Sequence, residues 1–226
     1  MNGKYLVIGI TGVTCGGKTS LSKKLINLIN QHAQYSKFKI NVKVISQDDY
    51  FLDVEDKRHV WVEEIQHIHF DIITSIDMDQ MYKDILTIIA NQPHYAEHKS
   101  AQENGSQDKN QELILFLQGL QRDVNILIIE GFSIYEHAEV YELCDLKYFF
   151  TLDYEECKRR RLLRVYEPPD CPGYFELCVW PEYLKYLQLV QVKSEENKAR
   201  GVTFFESNSV DRSVQVFKDI FQQLKN

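Results

Sequence analysis

Apolar positions along this chain follow two rhythms that alternate. Residues 4–10 (KYLVIGI) form a near-continuous apolar run, the signature of a parallel strand buried on both faces. From Thr19 to Asn30 the spacing changes, and Leu21, Leu25 and Leu28 fall on one helical face. Residues 42–46 (VKVIS) predict a second strand that runs into Gln47-Asp48-Asp49-Tyr50. The charged and aromatic stretch 53–69 predicts an irregular loop, and Met78, Met81, Ile85, Ile88 and Ile89 return to helical spacing. Three more strands are expected at 125–130 (NILIIE), 146–153 (LKYFFTLD) and 201–206 (GVTFFE). Helices are expected over Tyr154–Val165, stopped by Pro168-Pro169, over Trp180–Lys198, and at the end through Val214, Phe217, Phe221 and Leu224. Strands alternating with helices predict an α/β fold, a parallel sheet of about five strands covered on both faces.

The bulk numbers narrow the class. With 226 residues, 44% hydrophobic and 26% charged, the chain suits one globular domain spanning 1–226. No apolar stretch is long enough for a membrane helix, and the opening segment reads as a strand entering a functional loop, not as a signal peptide. Cys15, Cys144, Cys157, Cys171 and Cys178 are odd in number and lack CxxC spacing, so a reducing, cytoplasmic setting is expected. A net charge of −7 argues against nucleic acid or anionic membrane as partners. Residues 96–112 (AEHKSAQENGSQDKNQE) carry no large apolar residue and are expected to be a flexible surface insertion.

The chemistry-bearing pattern is Gly12-Val13-Thr14-Cys15-Gly16-Gly17-Lys18-Thr19, which fits GxxxxGK[ST] between a buried strand and a helix. Backbone N–H groups of such a loop cradle phosphates, and the helix N-terminus adds favourable charge. Lys18 would reach the β- and γ-phosphates, and the Thr19 hydroxyl would bind Mg²⁺. The expected architecture is therefore a P-loop NTPase three-layer sandwich. Ligands of open α/β sheets sit beyond the carboxyl ends of the strands. Two acidic positions fall there, Asp48-Asp49 after the second strand and Glu130 closing the third. Asp48 is the candidate base and outer-shell metal residue, and Glu130 the Walker-B-like acid. Taken singly, these acids read equally well as a turn and a solvated strand end.

One basic cluster stands apart in this acidic chain. Lys158, Arg159, Arg160, Arg161 and Arg164 crowd one short helix. They cannot all face one way, but their position after a strand and before Pro168-Pro169 and Gly173 predicts a lid over 154–175. An arginine there would neutralise a transferring phosphoryl group and help exclude water. Asp48, Lys18, Glu130 and Arg161 are thus the candidate catalytic set.

Longer runs carry a resemblance. ISQDDYF (45–51), ILIIEGF (126–132), YEECKRRRLLRVYEPPDCPGYF (154–175) and VWPEYLKY (179–186) resemble the nicotinamide riboside kinases. The likeness runs from Tyr5 to about Tyr186 and is weak in 91–122 and after 187. It implies ATP-dependent phosphorylation of the ribose 5′-hydroxyl of nicotinamide riboside, with nicotinic acid riboside as an expected second substrate, in NAD salvage. By resemblance Gly12, Val13, Thr14, Cys15, Gly16, Gly17, Lys18, Thr19 and Ser20 would hold ATP. Thr19 and Asp48 would hold Mg²⁺. Arg160, Arg164, Val165 and Tyr166 would face ATP, and Arg161 the substrate. Asp48, Asp49, Tyr50 and Phe51 would line the substrate. Phe70-Asp71 stands where relatives often have Tyr-Asp. Asp71 would accept bonds from ribose hydroxyls, Phe70 and Tyr166 would sandwich the pyridinium ring, and Glu167 would sit beside it. The sequence departs from the family at Glu206-Ser207-Asn208, where relatives often read Asp-Gly-Thr, which leaves ATP against GTP open.

Other patterns compete less well. His67-Ile68-His69 has no third ligand nearby for a metal. Asp170-Cys171-Pro172-Gly173 matches DxxG but follows a basic helix, and Asn197-Lys198-Ala199-Arg200 is not NKxD. Tyr174, Phe175, Trp180, Tyr183 and Tyr186 read as packing. The competing functions are a uridine- or pantothenate-kinase-like enzyme and a nucleotide-dependent switch or adaptor.

Overall fold

The computed structural model describes residues 5–91, 111–207 and 210–224. Its sheet holds five parallel strands in the order β2-β5-β1-β6-β7, with β1 Tyr5–Gly12, β2 Ile40–Ser46, β5 Val124–Glu130, β6 Leu146–Thr151 and β7 Thr203–Glu206. Side chains alternate across it. Tyr5, Val7, Leu127, Ile129 and Phe149 pack on one face, with α2 (Met78–Ala90), α4 (Ala138–Leu143) and α6 (Trp180–Glu196). Leu6, Ile8, Ile10, Ile126 and Ile128 pack on the other, with α1 (Lys18–His32), α3 (Gln111–Gln118) and α7 (Ser213–Gln223). Two apolar faces explain why the central strands read as unbroken runs.

Four expectations change in detail. The 53–69 stretch contains a short antiparallel hairpin, β3 (Trp61–Val62) with β4 (His67–Ile68). Residues 96–110 of the expected insertion lie outside the described residues. Gln111 and Glu112 belong instead to the first turn of α3, where Glu112 pairs with Lys218 at 2.6 Å. The arginine helix α5 spans Tyr154–Arg161 and does not reach Val165. Leu162, Leu163 and Val165 are exposed, so nothing packs against a further turn to hold it. The helices α3 and α4 escaped the sequence pattern because eight and six residues give too few repeats of a helical period. No helix among the described residues is long and apolar enough to cross a membrane.

Candidate active site

The carboxyl ends of β1, β2, β5 and β6 open on one edge of the sheet. In the parallel register Ser46 sits opposite Glu130, and Ile10 flanks Glu130 on the other side. The loop after β1 therefore lies beside both acidic sites. Gly12 is required there, because a Cβ on it would collide with the Phe150 carbonyl oxygen. Gly17, at φ +92°, supplies the left-handed turn into α1. Cys15 also takes a positive φ of 58° inside the loop.

Lys18 opens α1 and folds its ammonium back on the loop, donating to the carbonyl oxygens of Gly12 at 3.0 Å and Val13 at 2.8 Å. Burial lowers its pKa, opposed by the nearby charges of Asp48 and Glu130. Glu130 is 4% exposed, and its Oε2 has no hydrogen-bond partner among the described residues. Burial pushes its carboxyl up, opposed first by a hydrogen bond from Thr19 and then by Lys18. Asp48 is exposed on the lining of the cavity described below. Desolvation there raises its carboxyl above the ordinary range, with Lys18 opposing.

These groups line one end of a cavity of about 440 Å³, a volume that suits a small molecule. Thr14, Cys15, Gly17, Lys18, Thr19, Ser20, Asp48 and Glu130 form this polar end. Phe51, Phe70 and Phe132 form the other, where Phe51 and Phe132 stack at 6.0 Å and 16° and Phe70 meets Phe51 edge-on at 6.4 Å. A charge network centred on one buried arginine also lines the cavity. Arg161, 6% exposed, donates to both Asp71 oxygens at 3.1 and 3.0 Å and to both Asp170 oxygens at 2.6 and 3.0 Å. Its guanidinium also covers the Tyr166 ring at 4.4 Å. The Tyr174 hydroxyl donates to Asp71 at 3.0 Å and accepts from the Phe70 backbone N–H at 2.8 Å.

The structure redistributes several sequence-predicted residues. Gln47–Tyr50 is a 3-10 helix, whose three-residue turn puts Asp48 and Phe51 on the same side. Asp49 and Tyr50 do not line the cavity, and the Tyr50 hydroxyl instead donates to Asp84 at 2.8 Å. Val165 stands 97% exposed outside the lining, whereas Arg164, Tyr166 and Glu167 belong to it. Arg160 reaches the loop from the other side. It donates to the Cys15 carbonyl oxygen at 3.2 Å and to Ser207 Oγ at 2.9 Å. With Gly16, Gly17, Ser20, Glu206 and Ser207 it lines an adjoining cavity of about 160 Å³. Gly12 and Val13 face a water-sized recess behind the loop. His67 and His69 join no metal-ligand cluster among the described residues.

Four residues of the site were missed by the sequence reading. Gln47 ties the end of β2 to the loop after β5, donating to Ser133 Oγ at 2.9 Å and accepting from Ser133 N–H at 3.0 Å. In sequence Asp170 looks like part of a DxxG pattern, Tyr174 like packing, and Phe132 stands out only within the run 126–132. A fully buried glutamine at a strand end or a second acid for Arg161 leaves no periodic trace in one sequence.

Comparison with known proteins decides the family. The Phosphoribulokinase / Uridine kinase family matches residues 7–167. Nicotinamide riboside kinase 1 of Homo sapiens is 34% identical over 98% of this chain and 94% of its own. Nicotinamide riboside kinase 2 of Mus musculus is 32% identical over 98% and 96%. The chain belongs to the nicotinamide riboside kinases, within the phosphoribulokinase/uridine kinase family. A solved structure described as a possible uridine kinase from Bacillus stearothermophilus shares the fold, with TM-score 0.50 and 19% identity over 91% of this chain and 90% of that one. As a kinase of this family the chain uses a nucleoside triphosphate as phosphoryl donor, consistent with the loop at the polar end of its cavity. Phe70 stands at the wall of that cavity, edge-on to Phe51, His59 and His67.

Proposed function

We propose that this nicotinamide riboside kinase transfers the γ-phosphoryl group of ATP to the ribose 5′-hydroxyl of nicotinamide riboside. The observation that supports this reading is one cavity lined both by the glycine-rich loop and by Phe51, Phe70 and Tyr166, with the half-buried Asp71 carboxylate on its wall. A riboside whose ring packs among Phe51, Phe70 and Tyr166 and whose ribose meets Asp71 directs its 5′-oxygen toward Asp48. Asp48 accepts the hydroxyl proton as that oxygen attacks phosphorus and the bond to the bridging oxygen of ADP breaks. Lys18, with Arg161 and Arg164 from the lid side, stabilises charge on the transferring group. Ser20, Arg160 and Ser207 hold the nucleoside side of ATP.

The donor set fits Mg²⁺. The Thr19 hydroxyl, Asp48 and the unpartnered buried Glu130 oxygen are hard oxygen donors at one point, and Mg²⁺ is held by one or two carboxylates plus phosphate oxygens. Thr19 and Asp48 would hold it, Glu130 would orient its shell, and it would neutralise phosphate charge.

Two consequences follow for solution behaviour. Since Asp48 acts as a carboxylate and desolvation raises its pKa, kcat/KM is expected to fall on acidification through a value above the usual carboxylate pKa of about 4. A pH–rate profile with its acid limb at or below that value removes Asp48 from the base role. Phe70→Ala is expected to raise KM for nicotinamide riboside by about tenfold, the order of a lost aromatic contact, with KM for ATP within twofold. Equal effects on both substrates sink the ring-binding role of Phe70, and a rise confined to the riboside KM supports it.

A further inference from the structure

The segment carrying Phe70 is held by a histidine that the catalytic reading does not use. His59 packs edge-on against the Phe70 ring at 5.2 Å, inside a cage completed by His67 at 5.8 Å and Phe51 at 6.4 Å. Its two ring nitrogens face two different segments. Nε2 lies 2.9 Å from the Asp53 carbonyl oxygen, and Nδ1 lies 3.0 Å from Ser75 Oγ. A carbonyl oxygen only accepts, so Nε2 must donate. The single Ser75 hydroxyl proton goes to the His69 carbonyl oxygen at 2.8 Å, so Ser75 Oγ is left to accept from Nδ1. All three bonds form together only when both nitrogens of His59 carry protons. With one proton, one of the three bonds is lost, whether Nε2–Asp53, Nδ1–Ser75 or Ser75–His69, and His69 directly precedes Phe70.

We propose that His59 is a positioning residue for the ring-binding wall of the substrate pocket, acting as a double donor that joins the 53–59 loop to the 69–75 segment. This rests on the riboside reading for its kinetic consequence and on hydrogen-bond geometry for its protonation. Charged groups stand on each segment around the ring. Asp53 and Asp56 lie on the same loop, and Asp56 is held at about 2 by its hydrogen-bonded pairing with Arg58. Arg58 in turn reaches Asp77, at the cap of α2, at 3.5 Å. His67 also packs against Phe70, and Asp71 follows Phe70 along the chain.

The test has two arms on the full chain. In the first, long-range ¹H–¹⁵N NMR, with the His59→Gln variant for assignment, reads both His59 nitrogens at pH 7 without ligand. Two protonated nitrogens are expected, and a bare Nδ1 overturns the double-donor assignment. In the second, KM is measured for nicotinamide riboside and for ATP from pH 6 to pH 8.5. The wild-type riboside KM is expected to rise several-fold with pH while the ATP KM stays flat. His59→Ala is expected to raise the riboside KM by about tenfold at pH 6 with kcat within twofold. His59→Gln, which keeps one donor, falls between them, and both variants lose the pH dependence. A riboside KM that falls with pH, or variants that shift both KM values together, overturns the positioning role. Absence of riboside turnover by the wild type counts against the substrate reading, and the NMR arm then decides His59 by itself.

Discussion

Asp48→Asn is expected to lower kcat by about a hundred- to ten-thousandfold, the range of a lost general base, while ATP still binds. The asparagine keeps the shape of the side chain but cannot take the hydroxyl proton. Folding is expected to survive. Burial raises the carboxyl pKa of Asp48 in the folded protein. Its ionised form therefore opposes folding above the unfolded-state value, and the opposition fades as pH falls through the folded value. A neutral replacement removes that cost, so Tm at neutral pH should hold or rise. Rapid-quench kcat, equilibrium binding of ATP and a thermal melt check the three parts. Near-wild-type kcat with normal binding would take Asp48 out of proton transfer.

Arg161→Ala is the second large effect. The buried guanidinium is the shared partner of Asp71 and Asp170, so its loss leaves two carboxylates facing each other in the pocket wall. Asp71 is only half-buried and Asp170 exposed, so the cost falls short of the roughly 3–5 kcal/mol of a fully buried pair broken from one side, and a lower Tm is expected. The same side chain aligns Asp71 and approaches Thr14 Oγ1 of the phosphate loop at 3.4 Å. Riboside kcat/KM is therefore expected to fall by about a hundred- to thousandfold, as for loss of a preorganised charge donor. Arg161→Lys restores charge without the planar fork and should recover stability more than activity. Unchanged riboside kinetics in a folded Arg161→Ala protein would leave Arg161 a structural role alone.

The parts of this molecule that could be read from sequence are those with a period or a fixed spacing. Buried strands such as 125–130 appear as apolar runs because both faces of a parallel sheet are covered. The phosphate loop is local, with strand, loop and helix contiguous in sequence. Asp48, Glu130, Phe70, Asp71, Arg161, Arg164, Tyr166 and Glu167 were named from sequence, and the fold brings all of them to one cavity. Asp49, Tyr50 and Val165 were named with them but face elsewhere, because membership in a run says nothing about direction on a 3-10 turn or past a helix end. Gln47, Tyr174 and His59 bond to partners on other segments of the chain, Ser133, Asp71 and Ser75, and Asp170 to Arg161 across the irregular turn after α5. No periodicity records such pairs.

The most direct test of the kinase reading is ADP release by the purified protein with Mg·ATP, alone and with nicotinamide riboside, uridine or pantothenate. The mechanism requires strong stimulation by nicotinamide riboside, little by the other two, and a product phosphorylated at the ribose 5′-position. Stimulation by uridine or pantothenate instead would keep the phosphoryl-transfer chemistry and contradict the substrate. ATP binding without release in any of the mixtures would contradict the kinase reading itself.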